Sequence, residues 1–318
     1  MHFLDDRDLN RADQLDLLDT TWRLKHEGFD LGRPLAGKTL AMVMSKPSLR
    51  TRTSFTVATR RLGGDILEIG AHNTKLGKGE DMQEWAAVLT SMVDGIGARV
   101  HGHEDLKALA KFGNKPVVNL LSDKLHPLQS LCDAYTVFEH AKKAGLPGAT
   151  SASEYFGTPR KWAYLGDGNN IIHSMMLVAA SLGVIMHAAC PEGRAPDPEL
   201  VKAARDLHPA GADGVRVDHD ANAAATGADM ISTDTWVSMG QEGAMDRDAA
   251  RELFGPFQVD TPRMALGKPE AVFMHCLPAV PGEEMTAEVL RGPQSIILDQ
   301  AENRLWTVQT LLALKVFG

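Results

Sequence analysis

Short apolar runs alternate with longer amphipathic stretches over nearly the whole chain, and this alternation restricts the fold more than any other feature. Residues 39–44 (Thr39-Leu40-Ala41-Met42-Val43-Met44) form an apolar run of strand length. Such a run suits a strand buried on both faces. A polar loop follows, then Val57, Ala58, Arg61 and Leu62 before Gly63-Gly64, which reads as a helix with a glycine stop. The spacing predicts further strands at 65–69, 96–100 and 116–120, and helices at 82–92, 104–111 and 127–143. Pro127 fits the first helical position, where its missing N–H would have had no partner. After an interval rich in Gly, Pro, Ser and Thr at 144–159 the period resumes. Strands are expected at 162–165, 184–189, 215–217, 230–232, 271–275 and 295–298, and helices at 170–182, 198–207, 221–226 and 302–317. Leu9, Leu15, Leu17, Leu18 and Trp22 mark an opening helix. The implied class is α/β, with parallel sheets covered by helices on both faces.

A chain of 318 residues exceeds what one core usually organises, so we expect two doubly wound domains with the boundary in the 144–159 interval. In such sheets ligands bind beyond the carboxyl ends of strands. The net charge of −8 argues against nucleic acid or an anionic membrane as the main partner. Any phosphate site must then be a local basic pocket in an acidic protein. Cys132, Cys190 and Cys276 are too few and too scattered for a disulfide framework or a zinc knuckle. They fit a reducing, cytoplasmic setting. No leader-type pattern opens the chain, and no apolar run reaches membrane-spanning length. No metal site is expected.

The loop after the first strand, Ser45-Lys46-Pro47-Ser48-Leu49-Arg50-Thr51-Arg52-Thr53-Ser54-Phe55, carries hydroxyls and guanidinium groups at a helix start. Helix N-termini attract anions, and arginine offers planar forks to phosphate oxygens. The glycine-rich loop of nucleotide hydrolases is absent, because no glycine lies between Ser45 and Phe55. A capped helix start with surface ion pairs accounts for the stretch equally well. Arg99 is the one charge in its strand. His126-Pro127-Leu128-Gln129 begins a helix and puts an imidazole and an amide on one side. Gly166-Asp167-Gly168-Asn169-Asn170 follows a strand, but the third glycine of a dinucleotide loop and the ribose-binding acid are missing. A tight turn presenting Asn170 is the better reading. Asp234 and Ser238-Met239-Gly240 follow another strand and could receive an ammonium group. His275 and Cys276 are strand neighbours and point to opposite faces, so they form no thiol–imidazole dyad.

In order along the chain, Ser48-Leu49-Arg50-Thr51-Arg52, Arg99, His126-Pro127-Leu128-Gln129, Asp234 with Ser238-Met239-Gly240, His275-Cys276-Leu277-Pro278 and Glu302-Asn303-Arg304 resemble the aspartate/ornithine carbamoyltransferase family, in its ornithine-specific branch. The Ser-x-Arg-Thr-Arg and His-Pro-x-Gln motifs mark carbamoyltransferases in general. The Ser-Met-Gly and His-Cys-Leu-Pro motifs point to ornithine as acceptor.

The resemblance implies a carbamoyl-phosphate domain at 1–142 and an ornithine domain at 143–301. It also implies a last helix at 302–318 packed back on the first domain, and an active-site cleft between the domains. By the same resemblance, Ser48, Leu49 (through its backbone), Arg50, Thr51 and Lys75 would hold the phosphate, with Arg99 bridging phosphate and carbonyl. His126 and Gln129 would hold the carbamoyl group, and Arg304, Cys276 and Leu277 would border it. Asn170, Asp234, Ser238 and Met239 would hold ornithine. Leu277-Pro278 would be cis. Arg50, Arg99, His126, Arg304 and Cys276 would be the catalytic set, with no cofactor, in a homotrimer whose sites lie near subunit interfaces. Departures from the pattern are Leu49 for threonine, Lys75 for glutamine, and Glu84-Trp85-Ala86 for Asp-Thr-Ala.

Overall fold

The protein is described here by a computed structural model covering residues 1–70, 81–237 and 245–318. It divides into two compact units, one of residues 1–132 with 302–318, the other of residues 133–301.

In the first unit the order is α1 (Arg11–His26), β1 (Thr39–Met44), α2 (Leu49–Arg61), β2 (Asp65–Gly70), α3 (Met82–Met92), β3 (Gly95–Arg99), α4 (His103–Phe112) and β4 (Val117–Leu121). α5 (Pro127–Lys143) starts in this unit and ends in the second. The sheet is parallel, ordered β2-β1-β3-β4. Central β1 is buried from Leu40 to Met44, as its unbroken apolar sequence requires when helices cover both faces. Ala41, Val43, Ile96, Ala98 and Val117 pack against Leu89, Leu106 and Leu109 of α3 and α4. On the other face, a Cβ on Gly97 would come within 2.6 Å of the Phe55 ring. Glycine there lets α2 lie close to β3 and holds the helix start beside the strand ends. Before α1, Phe3 pairs with β4 through Phe3 N–H to Val117 O at 2.8 Å and Asn119 N–H to Phe3 O at 2.8 Å, covering an otherwise open edge.

The second unit runs α6 (Ala152–Tyr155), β5 (Lys161–Leu165), α7 (Asn170–Leu182), β6 (Ile185–Ala189), α8 (Pro198–Leu207), β7 (Val215–Asp218), α9 (Ala221–Ala225) and β8 (Met230–Thr233). It continues with α10 (Arg247–Phe254), α11 (Thr261–Met264), β9 (Val272–His275) and α12 (Ala287–Arg291). Its five parallel strands are ordered β7-β6-β5-β8-β9, with Ala163, Leu165, Ile231 and Phe273 in the core beside Ala221, Ala224 and Met285. α7 is apolar almost throughout and buried from Ile171 to Leu182. It ends at Gly183 with φ 74°, a left-handed glycine stop.

The α/β class and both parallel sheets agree with the sequence reading. The strand expected at 295–298 is corrected. Ser295 makes only an isolated bridge to Phe273, and α13 (Ile297–Leu311) begins at once, continuing as a π-helical turn at Leu312–Val316. The run Ile296-Ile297-Leu298 is strand-like in composition, yet Leu298 is 76% exposed, so the run is not buried on both faces as a central strand demands. α6, α10, α11 and α12 were not anticipated. They are short and lie outside the strand–helix period.

Candidate active site

Cationic groups of the first unit converge from elements far apart in sequence. Ser48 caps α2, its hydroxyl accepting the Thr51 N–H at 3.3 Å. The side chain of Leu49 is 77% exposed, so this residue offers the site only its backbone at the positive helix start. Thr51 is buried and Arg50 partly buried. Arg52 instead pairs with Glu68 of β2 at 2.6 Å. Arg99, at the carboxyl end of β3, is buried although charged, and its carbonyl accepts the Ser45 N–H at 2.9 Å, tying the strand end to the loop before α2. His126 and Gln129 open α5 and are both buried. Arg304 of α13, also buried, donates from Nη1 to Gln129 Oε1 at 2.6 Å. Lys25 of α1 holds the neighbouring residue, donating to Asn303 Oδ1 at 2.7 Å.

The electrostatics follow from this packing. Burial, reinforced by the charges of Arg304, Arg99 and Arg50, holds the His126 imidazole well below its usual range. His126 is therefore neutral at physiological pH. Three permanently charged guanidinium groups around a neutral imidazole make a site for a multiply charged anion with a polar group attached.

In the second unit the polar groups gather at the carboxyl ends of β5, β8 and β9. Asp234 follows β8 and is buried. Its Oδ2 accepts from Asn169 Nδ2 at 2.8 Å, and its Oδ1 accepts from Cys276 Sγ at 3.3 Å. Asn169 also caps α7 through Ile171 N–H at 2.9 Å. The turn before it is built on Gly168, where a Cβ would lie 2.3 Å from the Ala195 carbonyl carbon. Only glycine lets residues 194–196 pack there. Leu277-Pro278 is cis, and Leu277 holds a positive φ of 58°, uncommon for a branched side chain. Its N–H donates to His275 Nδ1 at 2.8 Å, and His275 Nε2 lies 3.2 Å from Glu284 Oε1, both residues being buried. Gln300 Oε1 accepts the His275 N–H at 3.0 Å and Gln300 Nε2 donates to Asp133 at 2.7 Å. The turn that presents Cys276 and Leu277 is thus fixed from below. Asp234, His275 and Cys276 have metal-binding donor types within 4.8 Å of one another, but the Nδ1 lone pair of His275 is already engaged by the Leu277 N–H.

Arg50, Arg99, His126, Gln129 and Arg304 are therefore together in the first unit, and Asp234, Cys276 and Leu277 in the second. Lys75, Ser238 and Met239 lie outside the described residues. Asn170 is partly buried at the start of α7, but the amide that touches Asp234 belongs to Asn169, which the sequence reading passed over. The signal was available, since asparagine just before a helical run is a preferred cap.

Residues 1–139 match the family described as aspartate/ornithine carbamoyltransferase, carbamoyl-P binding domain. Residues 159–315 match its Asp/Orn binding domain. The chain is 42% identical over 313 residues to an ornithine carbamoyltransferase of Acidothermus cellulolyticus, covering 98% of this chain and 95% of the relative. It is 43% identical over 291 residues to an anabolic ornithine carbamoyltransferase of Pyrococcus furiosus, covering 91% and 88%. The solved ornithine carbamoyltransferase structure from Pyrococcus furiosus superposes with a TM-score of 0.89 at 39% identity, covering 100% of this chain and 97% of that one. With both halves of the chain matched and full-length relatives above 40% identity, the chain belongs to the aspartate/ornithine carbamoyltransferase family.

Proposed function

We propose that the chain transfers the carbamoyl group of carbamoyl phosphate to the side-chain amine of L-ornithine, releasing L-citrulline and phosphate, in arginine biosynthesis. The observation that carries this is the convergence of Arg50, Arg99 and Arg304 on the buried neutral His126, within the segment that matches a carbamoyl-phosphate-binding domain. The names of the relatives support ornithine as acceptor and the biosynthetic direction.

Ser48, the Leu49 backbone, Arg50, Thr51 and Lys75 take the phosphate, and Arg99 spans phosphate and carbonyl oxygen. His126 donates to the carbonyl oxygen. Gln129, whose Oε1 accepts from Arg304 Nη1, holds the carbamoyl NH₂. Asn170, Asp234, Ser238 and Met239 hold the amino-acid end of ornithine, with Cys276 and Leu277 beside the reacting amine. A free alkyl ammonium loses its proton only near pH ~10.4, so the site must favour the neutral amine. Desolvation and the positive field of the arginines both do so. The amine attacks the carbamoyl carbon, and charge builds on the carbonyl oxygen against Arg99, Arg304, His126 and Thr51. The C–O bond to phosphate then breaks, and phosphate itself accepts the proton lost by the amine. Cys276 orients and desolvates; it forms no covalent adduct.

We further infer a homotrimer with sites near subunit interfaces, supported by exposed apolar Leu67, Val88 and Met92 in the first unit. A cytoplasmic location is supported by three cysteines outside any disulfide. No helix among the described residues is long and apolar enough to cross a membrane.

The test compares phosphate release with ornithine, acetylornithine, putrescine and aspartate as acceptors. Ornithine should exceed the others by at least ~100-fold, with citrulline as product. Preferential use of putrescine or an acylated ornithine would assign a different amine to the same chemistry. Inactivity with all four would refute the proposal.

A further inference from the structure

Two loops of the first unit, one leading from Arg99 and the other leading to His126, are joined by backbone bonds and, beyond them, through His103. The β3–β4 register shifts between Ala98 and Arg99: Ala98 pairs with Asn119, and Arg99 with Leu121. Such a bulge inserts one residue and re-aims the chain beyond it. Past the bulge, Val100 N–H donates to Leu121 O at 3.0 Å and Asp123 N–H to His101 O at 3.1 Å. Buried His103 then joins the loops twice. Its backbone N–H donates to Asp123 Oδ1 at 2.8 Å, giving α4 the cap that Gly102 lacks the side chain to supply. Its ring Nδ1 lies 3.0 Å from Ser122 Oγ. Ser122 in turn shapes the turn that ends at His126. Its Oγ accepts the Leu125 N–H at 3.2 Å, and its own N–H donates to Leu125 O at 3.0 Å.

We propose that His103 is a positioning residue for carbamoyl-phosphate binding: by clamping the 122–125 turn to the start of α4, it sets the separation of Arg99 and His126. The assignment rests on the function proposed above. Arg99 is fixed by its strand, whereas His126 stands at the end of a short turn beyond a bulge, and the clamp bears on that turn. Burial also lowers the His103 pKa, which favours the neutral ring. Its Nδ1 shares a hydrogen bond with Ser122 Oγ in either tautomer, while Ser122 Oγ also reaches Leu125 O at 3.3 Å. A displacement of about 1 Å between groups that hold one small substrate can cost about 100-fold.

Steady-state kinetics of the full-length enzyme, with thermal melts, test this in His103→Ala, Ser122→Ala and His103→Asn. Asparagine places an amide atom where Nδ1 stands and should restore the clamp. His103→Ala and Ser122→Ala should lower kcat/KM for carbamoyl phosphate by about 10- to 100-fold, with KM for ornithine changed less than twofold. His103→Asn should regain most of the loss. Wild-type values in His103→Ala would overturn the proposal. So would losses equal for both substrates that track a lowered melting temperature, or an asparagine variant no better than alanine. If His103→Ala does not fold, the other two variants decide. If the wild type makes no citrulline, the proposed function fails instead. Calorimetric affinity for phosphonoacetamide, the stable methylene analogue of carbamoyl phosphate, then tests His103, and equal affinity in all variants would overturn the assignment.

Discussion

The two units solve opposite electrostatic problems. In the first, permanently charged side chains from α2, β3 and α13 gather about His126. In the second, one buried carboxylate, Asp234, is held between an amide and a thiol at neighbouring strand ends. A guanidinium cannot shed its charge at physiological pH. The first cluster therefore brings like charges close together, and an incoming anion meets all three. The carboxylate already has neutral donors and needs no ligand to be tolerated. A site for phosphate is thus assembled from like charges on separate rigid elements, whereas a site for an ammonium group is a single carboxylate already met by neutral donors.

Arg99→Met breaks that contrast most severely. It removes a donor to both phosphate and developing oxyanion, so kcat/KM should fall by about 10²–10³-fold, as for loss of one oxyanion donor. Because an apolar side chain of similar size removes one of three neighbouring like charges, the melting temperature of the ligand-free enzyme should fall far less than the activity does. Melts with and without phosphate, alongside kinetics, check this. A variant that loses stability as much as activity would show that the arginine is an ordinary structural ion-pair member.

Asp234→Asn should have the complementary signature. Removing the charge that meets the amino acid should raise the KM for ornithine by about 10²-fold, on the scale of about 3 kcal/mol for a buried charged contact. Affinity for phosphonoacetamide should not change. Weakened binding of that analogue, measured by calorimetry, would show that the two sites are not separable in this way. Cys276→Ser should be milder still. Serine keeps a donor for Asp234 Oδ1 but loses apolar bulk, so about a tenfold fall in kcat is expected, and recovery of a carbamoyl-thiol adduct from the wild type would contradict the orienting role.

The contrast also bears on how much could be read before any coordinates. The sheets were legible because short runs rich in apolar residues recur along the chain, and the first of them, β1, is buried along nearly its whole length. The motif residues were legible because Ser48, Arg50, Arg99, His126 and Arg304 are chemically loud in their surroundings. The supports were not. His103 looks like any polar residue at a helix start, and Ser122 like any loop serine. Their meaning depends on a bulge that shifts pairing by one residue, and periodicity cannot show that. Asn169 was legible as a helix cap, but its contact with Asp234 was not, because that joins two strand ends far apart in sequence. The Ile296-Ile297-Leu298 run misled for the opposite reason: composition alone cannot tell a buried strand from the first turn of a helix with one face in solvent.

The smallest expected effect concerns pH. Burial, with Arg304, Arg99 and Arg50 behind it, depresses the His126 pKa in the folded state, while the unfolded chain titrates near its ordinary value of 6.5. The unfolded state then binds more protons as the medium becomes acidic. The stability that the neutral imidazole contributes is complete above about pH 6.5 and declines as pH falls toward the folded value. One such group gives a slope of at most about 1.4 kcal/mol per pH unit. His103, His140, His187 and His208 are depressed by burial as well, so the wild-type melting temperature should drop between pH 7 and 5. His126→Gln keeps a polar side chain without the titration, and it should flatten that drop by one group's share while leaving the contributions of the other histidines in place. An unchanged slope in the variant would mean that His126 titrates alike in folded and unfolded chains. That result would remove the arginine field from the first site and with it the electrostatic contrast between the two units.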